Sequence, residues 1–211
     1  MRETLRHALA RLAGKRPVPP EMTGLSSALL HVSDTPSTFY PDLAHLVAAV
    51  RPRFIIHTGD LADEVKLSPG SSDRPLYAAR VEALLAILES SVAERVFLVM
   101  GNHDDPGLVR RLASGREPPG RFVVAEGCLC LDLEGVGIAA SHRPEDLWER
   151  AADFNLYGHD TSVLPPDVDG RLYLNGNVQI RVLDLATRTV HSLDYPRSVH
   201  DVRQKKRKIG L

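Results

Sequence analysis

Four polar clusters, His57-Thr58-Gly59-Asp60, Gly101-Asn102-His103-Asp104, Ser141-His142 and Gly158-His159-Asp160-Thr161, bring carboxylate, carboxamide and imidazole groups together in short runs. Each follows an apolar run: Arg53-Phe54-Ile55-Ile56, Val96-Phe97-Leu98-Val99-Met100, Val136-Gly137-Ile138-Ala139-Ala140 and Phe154-Asn155-Leu156-Tyr157. Short apolar runs closed by turn residues read as buried strands, and the polar clusters as the loops at their exits. Strands that share a sheet place their exits side by side, so Asp60, Asn102, His142 and His159 converge. Two oxygen and two imidazole donors suit a divalent transition metal.

The elements that must position these loops are legible in the same way. Strand 28–33, helix 41–50, strand 53–57, helix 74–90, strand 95–100 and a short helix 106–113 alternate, which predicts an α/β arrangement on a largely parallel sheet. Three short strands follow between Phe122 and Ala140, then a helix 144–151, a strand 154–157 and strands near 171–174, 177–184 and 189–194. This strand-rich half predicts a second sheet. His31 and His57 each stand three residues before an aspartate of a cluster and so face the other way on a regular strand, in a core or supporting role. The polar loop 62–73, just past Asp60, is placed to border the site.

The order of these motifs resembles the calcineurin-like metallophosphoesterases, particularly their small bacterial phosphodiesterase branch. The family pattern is Asp-x-His, Gly-Asp, Gly-Asn-His-Asp, a later His, and Gly-His-x-His. It is met here by Asp34-Thr35-Pro36, Gly59-Asp60, Gly101-Asn102-His103-Asp104, His142 and Gly158-His159-Asp160-Thr161, over roughly residues 27 to 195. The resemblance implies a four-layer αββα sandwich, two packed mixed sheets flanked by helices, with a metal centre at the strand ends. It also implies hydrolysis of a phosphodiester or phosphomonoester by hydroxide held between two ions about 3.5–4 Å apart. The metal is Mn²⁺ first, with Fe, Zn, Ni or Mg as alternatives. Asp60 takes the bridging place, Asn102, His142 and His159 complete one ion's ligands, and Asp34 belongs to the other. By the same resemblance, His103 would protonate the leaving oxygen, with Asp104 orienting its imidazole.

Two positions depart from the pattern. Pro36 stands where the family has the histidine of Asp-x-His, and Thr161 where it has the last histidine of Gly-His-x-His. In the family both belong to the same ion, which leaves only Asp34 and Asp60 for it here. One ion firmly held, with the other site weak, is the expectation; Asp160 and Asp63 are possible replacements. Loss of a site also gives an alternative reading, a lapsed member whose fold serves as a protein-binding scaffold.

Composition sets the remaining bounds. At 211 residues, 43% apolar and 25% charged with a net charge of −1, the chain is an ordinary globular sequence. It carries no general attraction to nucleic acid or acidic membranes. The resemblance implies a phosphate-ester substrate, and a protein partner or homo-oligomer is compatible with the rest. Residues 1–24 read as an N-terminal helix, with Leu5, Leu9 and Leu12 on one face, and a Pro-containing linker; 25–197 form the domain, and 198–211 a basic tail. Cys128 and Cys130 share one face of a strand, poorly placed to bridge each other and most simply core residues. Few cysteines, no long apolar segment and no signal peptide suggest the cytoplasm. Lys66, Arg74 and Arg143 are candidate phosphate contacts, although each also reads as a solvated charge.

Overall fold

The computed structural model describes residues 17–67, 70–161, 164, 167–199 and 202. The amphipathic run 2–13 and the basic segment 203–208 lie outside them. Strands β1 (Ala28–Val32), β2 (Phe54–His57), β3 (Arg95–Val99) and β4 (Phe122–Ala125) run parallel, and β10 (Gln179–Asp184) and β11 (Thr189–Asp194) extend the same sheet antiparallel beyond β1. Its order is β11-β10-β1-β2-β3-β4. Strands β5 (Leu129–Leu133), β6 (Val136–Ala140), β7 (Phe154–Tyr157), β8 (Asp167–Val168) and β9 (Arg171–Asn175) form a second mixed sheet in the order β5-β6-β7-β9-β8.

Side-chain alternation builds the layers. On β1, Leu30 and Val32 join Ile55, Val96 and Leu98 beneath the helices α1 (Tyr40–Val50), α2 (Arg74–Glu89) and α3 (Pro106–Ser114), whose buried faces include Leu43, Val47, Val81, Leu85 and Val109. Leu29, Phe54, Ile56, Phe97 and Val99 point the other way and meet Val136, Ile138, Ala140, Phe154 and Leu156 of the second sheet. The outer face of that sheet packs Ala139, Tyr157 and Tyr173 against Leu147 of a 3-10 helix, Pro144–Arg150. The two mixed sheets flanked by helices are the architecture expected from the sequence. Each parallel strand needs a crossover to return in the same direction, and α1, α2 and α3 supply these in the first sheet. Asp105 caps α3 by accepting the Leu108 N–H at 2.9 Å, with Pro106 at the first helical position.

Three expectations need correction. The second half of the chain supplies every strand of the second sheet but is not confined to it: β4, β10 and β11 pair into the first. Segment 144–150 is a 3-10 helix, because its two buried residues, Pro144 and Leu147, give no continuous stripe for an α-helix to bury. Cys128 and Cys130 are not core residues. They face away from the inter-sheet core: Cys130 is exposed, and Cys128 is half-buried against the outer cluster of Ala139, Leu147, Tyr157 and Tyr173. Among the described residues, no helix is long and apolar enough to cross a membrane.

Candidate metal centre

The polar clusters sit at the carboxyl ends of β1, β2, β3, β6 and β7, where parallel α/β sheets place their ligands. Loop backbones lock the exits together. The Asp34 N–H donates to the Gly59 carbonyl at 2.9 Å, the Thr35 N–H to the Asp60 carbonyl at 3.2 Å, and the Gly158 N–H to the His142 carbonyl at 3.1 Å. Across the sheets, the His159 N–H reaches Asp34 Oδ2 at 3.1 Å, an oxygen that also accepts the Ser33 hydroxyl at 2.6 Å. Asp34, Asp60 and His159 all adopt left-handed backbone, with φ of 49°, 53° and 71°. Such conformations cost about 1 kcal/mol or more each and persist where surrounding contacts over-determine them.

Two glycines allow the β2 and β3 exits to touch. Gly59 has φ of 98°, and a Cβ there would lie 2.6 Å from both Gly101 N and His142 Nδ1. A Cβ at Gly101 would overlap Asp60 Oδ1 and lie 2.5 Å from Asp60 N. Gly101→Ala should therefore displace the Asp60 loop, destabilising the fold by ~1–3 kcal/mol and weakening metal binding. Thermal melts and metal titration of the variant check both effects.

Hydrogen-bond logic fixes the state of the donors. His142 Nδ1 lies 2.7 Å from the Thr58 carbonyl oxygen. A carbonyl only accepts, so Nδ1 carries the ring proton and Nε2 presents a lone pair. That lone pair faces Asn102 Oδ1 at 3.0 Å and His159 Nδ1 at 3.1 Å, and these two atoms are 3.1 Å apart. With both rings neutral, as metal ligation requires, at most one proton, on His159 Nδ1, enters this triangle. Octahedral coordination with bonds of ~2.1 Å sets neighbouring donors ~3.0 Å apart, close to the edges observed. Asp60 Oδ1 lies 3.7 Å from His142 Nε2, and Asp34, Asp60 and His142 each offer a donor atom within 4.8 Å of the other two. The residues present thus fit a divalent cation.

Electrostatics point the same way. Burial, followed by the nearby charges of Asp34, Asp104 and Asp63, pushes the Asp60 carboxyl up to about 8, against the His103 N–H that donates to its Oδ1 at 3.2 Å. Burial and the neighbouring His142 lower His159, favouring the neutral imidazole that ligates metals. A cation at the triangle would relieve both penalties.

Asp104 has a larger structural task than its motif position suggests. Its carboxylate accepts the N–H groups of Asp60 at 2.9 Å, Leu61 at 3.0 Å and Gly101 at 2.8 Å, and the hydroxyl of Tyr77 on α2 at 2.8 Å. It ties two ligand loops to a helix. Tyr77, fully buried, was invisible to motif reading, because its helical position marks it only as core. His103 is half-buried beside Asp60.

His31 and His57 have other work than ligation. His57 Nδ1 accepts the Gly59 N–H at 3.2 Å, so Nε2–H donates to Thr35 Oγ1 at 2.9 Å, and Thr35 passes its own proton to the Leu61 carbonyl at 3.1 Å. His31 Nε2 pairs with Thr58 Oγ1 at 2.9 Å, and burial holds its pKa well below the usual range. Pro36 is buried at the start of the 3-10 helix Ser37–Phe39, whereas Thr161 and Asp160 are exposed and Asp63 is buried. Arg74 is paired with Asp105 at 2.8 Å and Arg143 with Glu145 at 3.8 Å, while Lys66 is half-buried.

The family model for calcineurin-like phosphoesterase matches residues 28–201, which contain every loop of the centre. The chain belongs to the calcineurin-like phosphoesterase family. No curated protein sequence matches it significantly. Among solved structures it is similar to a novel archaeal phosphodiesterase, at 15% identity and a TM-score of 0.57 over 80% of this chain and 99% of that one. Others include Yfce, a phosphoesterase from E. coli (19% identity, TM-score 0.49, 80% and 100% covered). A metallophosphoesterase from Sphaerobacter thermophilus follows at 13% identity and a TM-score of 0.47, with 88% and 94% covered. The archaeal structure shares the fold of this calcineurin-like phosphoesterase.

Proposed function

We propose that this protein is a metal-dependent phosphoesterase working with one firmly held divalent ion, Mn²⁺ first, bound by Asp60, Asn102, His142 and His159. The observation that carries the proposal is the triangle of His142, Asn102 and His159 donor atoms with sides of 3.0–3.1 Å, whose ring proton on His142 is committed to Thr58. A cation held there supplies Lewis-acid polarisation of a phosphoryl oxygen and lowers the pKa of water. Asp60 brings the anionic donor. The neutral Asn102, His142 and His159 keep the set from repelling an anionic phosphate. Asp34 stands beside Asp60 as the remnant of a second site, which Pro36 and Thr161 leave too poor in ligands to fill unaided.

His103 is the proposed acid for the leaving oxygen. Its backbone is pinned to Asp60, and the Asp104 carboxylate next to it fixes the loop that carries both. An open cavity of about 420 Å³ lined by Leu67, Arg74, Asn102 and Asp105 adjoins this point and has room for the organic part of an ester. His103→Ala should lower turnover of an ester with an unactivated leaving group at least ~10²-fold while leaving metal content unchanged. Smaller losses on an activated aryl ester are expected, since that leaving group needs less protonation. Equal, undiminished rates on both would remove His103 from the chemistry.

Hydrolysis of bis(p-nitrophenyl) phosphate with and without added Mn²⁺ tests the whole reading. The competing scaffold reading draws on Pro36 and Thr161, and it would be favoured by absent turnover in protein shown to hold its ion.

A further inference from the structure

A pair of thiols and an acidic cavity lie together on the outer face of the second sheet, and the phosphoesterase site uses neither. Cys128 and Cys130 flank Leu129 at the start of the edge strand β5, and their sulfur atoms are 4.0 Å apart. Leu129 and Leu131 point into the inter-sheet core, which turns both sulfurs outward. Cys128 opens into a cavity of about 510 Å³ lined also by Glu126, Glu145, Asp146, Glu149 and Arg150. Four carboxylates against one guanidinium give it a negative field, although Glu126 is also paired with Arg110 and Glu145 with Arg143.

We propose that Cys128 and Cys130 form a second metal site, a two-sulfur clamp for a thiophilic divalent ion such as Zn²⁺, with water completing the coordination. Two Zn–S bonds of ~2.3 Å at a tetrahedral angle set the sulfurs ~3.8 Å apart, so the pair needs almost no movement to close on an ion. A disulfide, by contrast, needs ~2.05 Å, about half the present separation. Binding replaces two S–H protons with two metal–sulfur bonds and releases both protons to solvent, with no change of oxidation state. Burial first, then the neighbouring Cys130, push the Cys128 thiol up to about 11, and ligation must displace that proton. The oxygen-rich, imidazole-containing centre at the strand ends favours harder ions, so the two sites sort metals by ligand softness.

The test is a Cd²⁺ titration of the full-length protein kept reduced with a phosphine, following ultraviolet thiolate-to-metal charge-transfer absorption. One equivalent should develop the band. Cys130→Ser, at an exposed position where folding is not at stake, should abolish the band or weaken binding by more than ~100-fold, beyond what loss of an outer partner costs. Asp60→Asn, which disables the other centre, should leave the band intact, and Zn²⁺ but not Mn²⁺ should compete it away. Absence of the band in the unsubstituted protein, or a band of unchanged affinity in Cys130→Ser, would overturn the proposal.

Discussion

Asp60→Asn should yield a protein that no longer binds its ion tightly, has lost turnover by more than ~100-fold, and melts higher than the unsubstituted protein when both are metal-free. The first two effects follow because Asp60 supplies the anionic oxygen beside His142, and losing even an outer partner of a ligand costs ~10–100-fold. The third has a separate cause. Burial, followed by the charges of Asp34, Asp104 and Asp63, raises the Asp60 carboxyl to about 8, so near neutral pH the metal-free fold must protonate this group, at a cost to stability. Asparagine keeps an oxygen for the His103 N–H and needs no proton to be neutral; a gain of roughly 1–3 kcal/mol is expected. Melting curves with and without Mn²⁺ separate the effects. Unsubstituted protein should gain stability on adding the ion, and the variant should not. A variant that is less stable in the metal-free state would show that Asp60 holds the loop through hydrogen bonds more than it strains it.

The double substitution Pro36→His with Thr161→His should restore a second ion. Both positions lie on loops that already converge: Pro36 follows the Asp34 turn, and Thr161 follows His159 within two residues. Two imidazoles added to Asp34 and Asp60 give a four-donor set around the position that now lacks ligands, with Asp60 bridging. Metal content should rise from one to two per chain, and phosphodiester turnover by ~10-fold or more, the equivalent of ~1.4 kcal/mol of added transition-state stabilisation. Pro36 is buried, so the substitution there must make room for the larger imidazole, and Thr161→His alone serves as the milder control. If the double variant folds, melts normally and still holds a single ion, the missing histidines are not what empties the second position.

Much of this arrangement is legible in the sequence, for a physical reason. Apolar runs such as Phe54-Ile55-Ile56 and Phe97-Leu98-Val99, short, rich in aromatic and β-branched residues and closed by turn residues, read as buried strands, which puts the polar residues after them at strand ends. The convergence of Asn102, His142 and His159 follows from that. What could not be read depends on pairing over long distances. Whether β10 joins the first or the second sheet is decided by its partner β1, some 150 residues earlier, and an apolar strand pattern fits either place. The Cys128–Cys130 spacing fixed a shared face without saying which face. Asp104 is the clearest case. Its motif neighbour is His103, yet its carboxylate gathers donors from Asp60, Leu61 and Tyr77, residues that only the folded chain brings together.

Metal content by elemental analysis, on protein purified without chelator and assayed beside it for Mn²⁺-dependent hydrolysis of bis(p-nitrophenyl) phosphate, tests the central claim most directly. One ion per chain, with turnover that disappears on chelation and returns with Mn²⁺, is the expected result, provided that Cys128→Ser/Cys130→Ser protein is used so that only the strand-end centre is counted. Two ions at full occupancy in that protein, or one ion with no turnover on any phosphate ester, would contradict it.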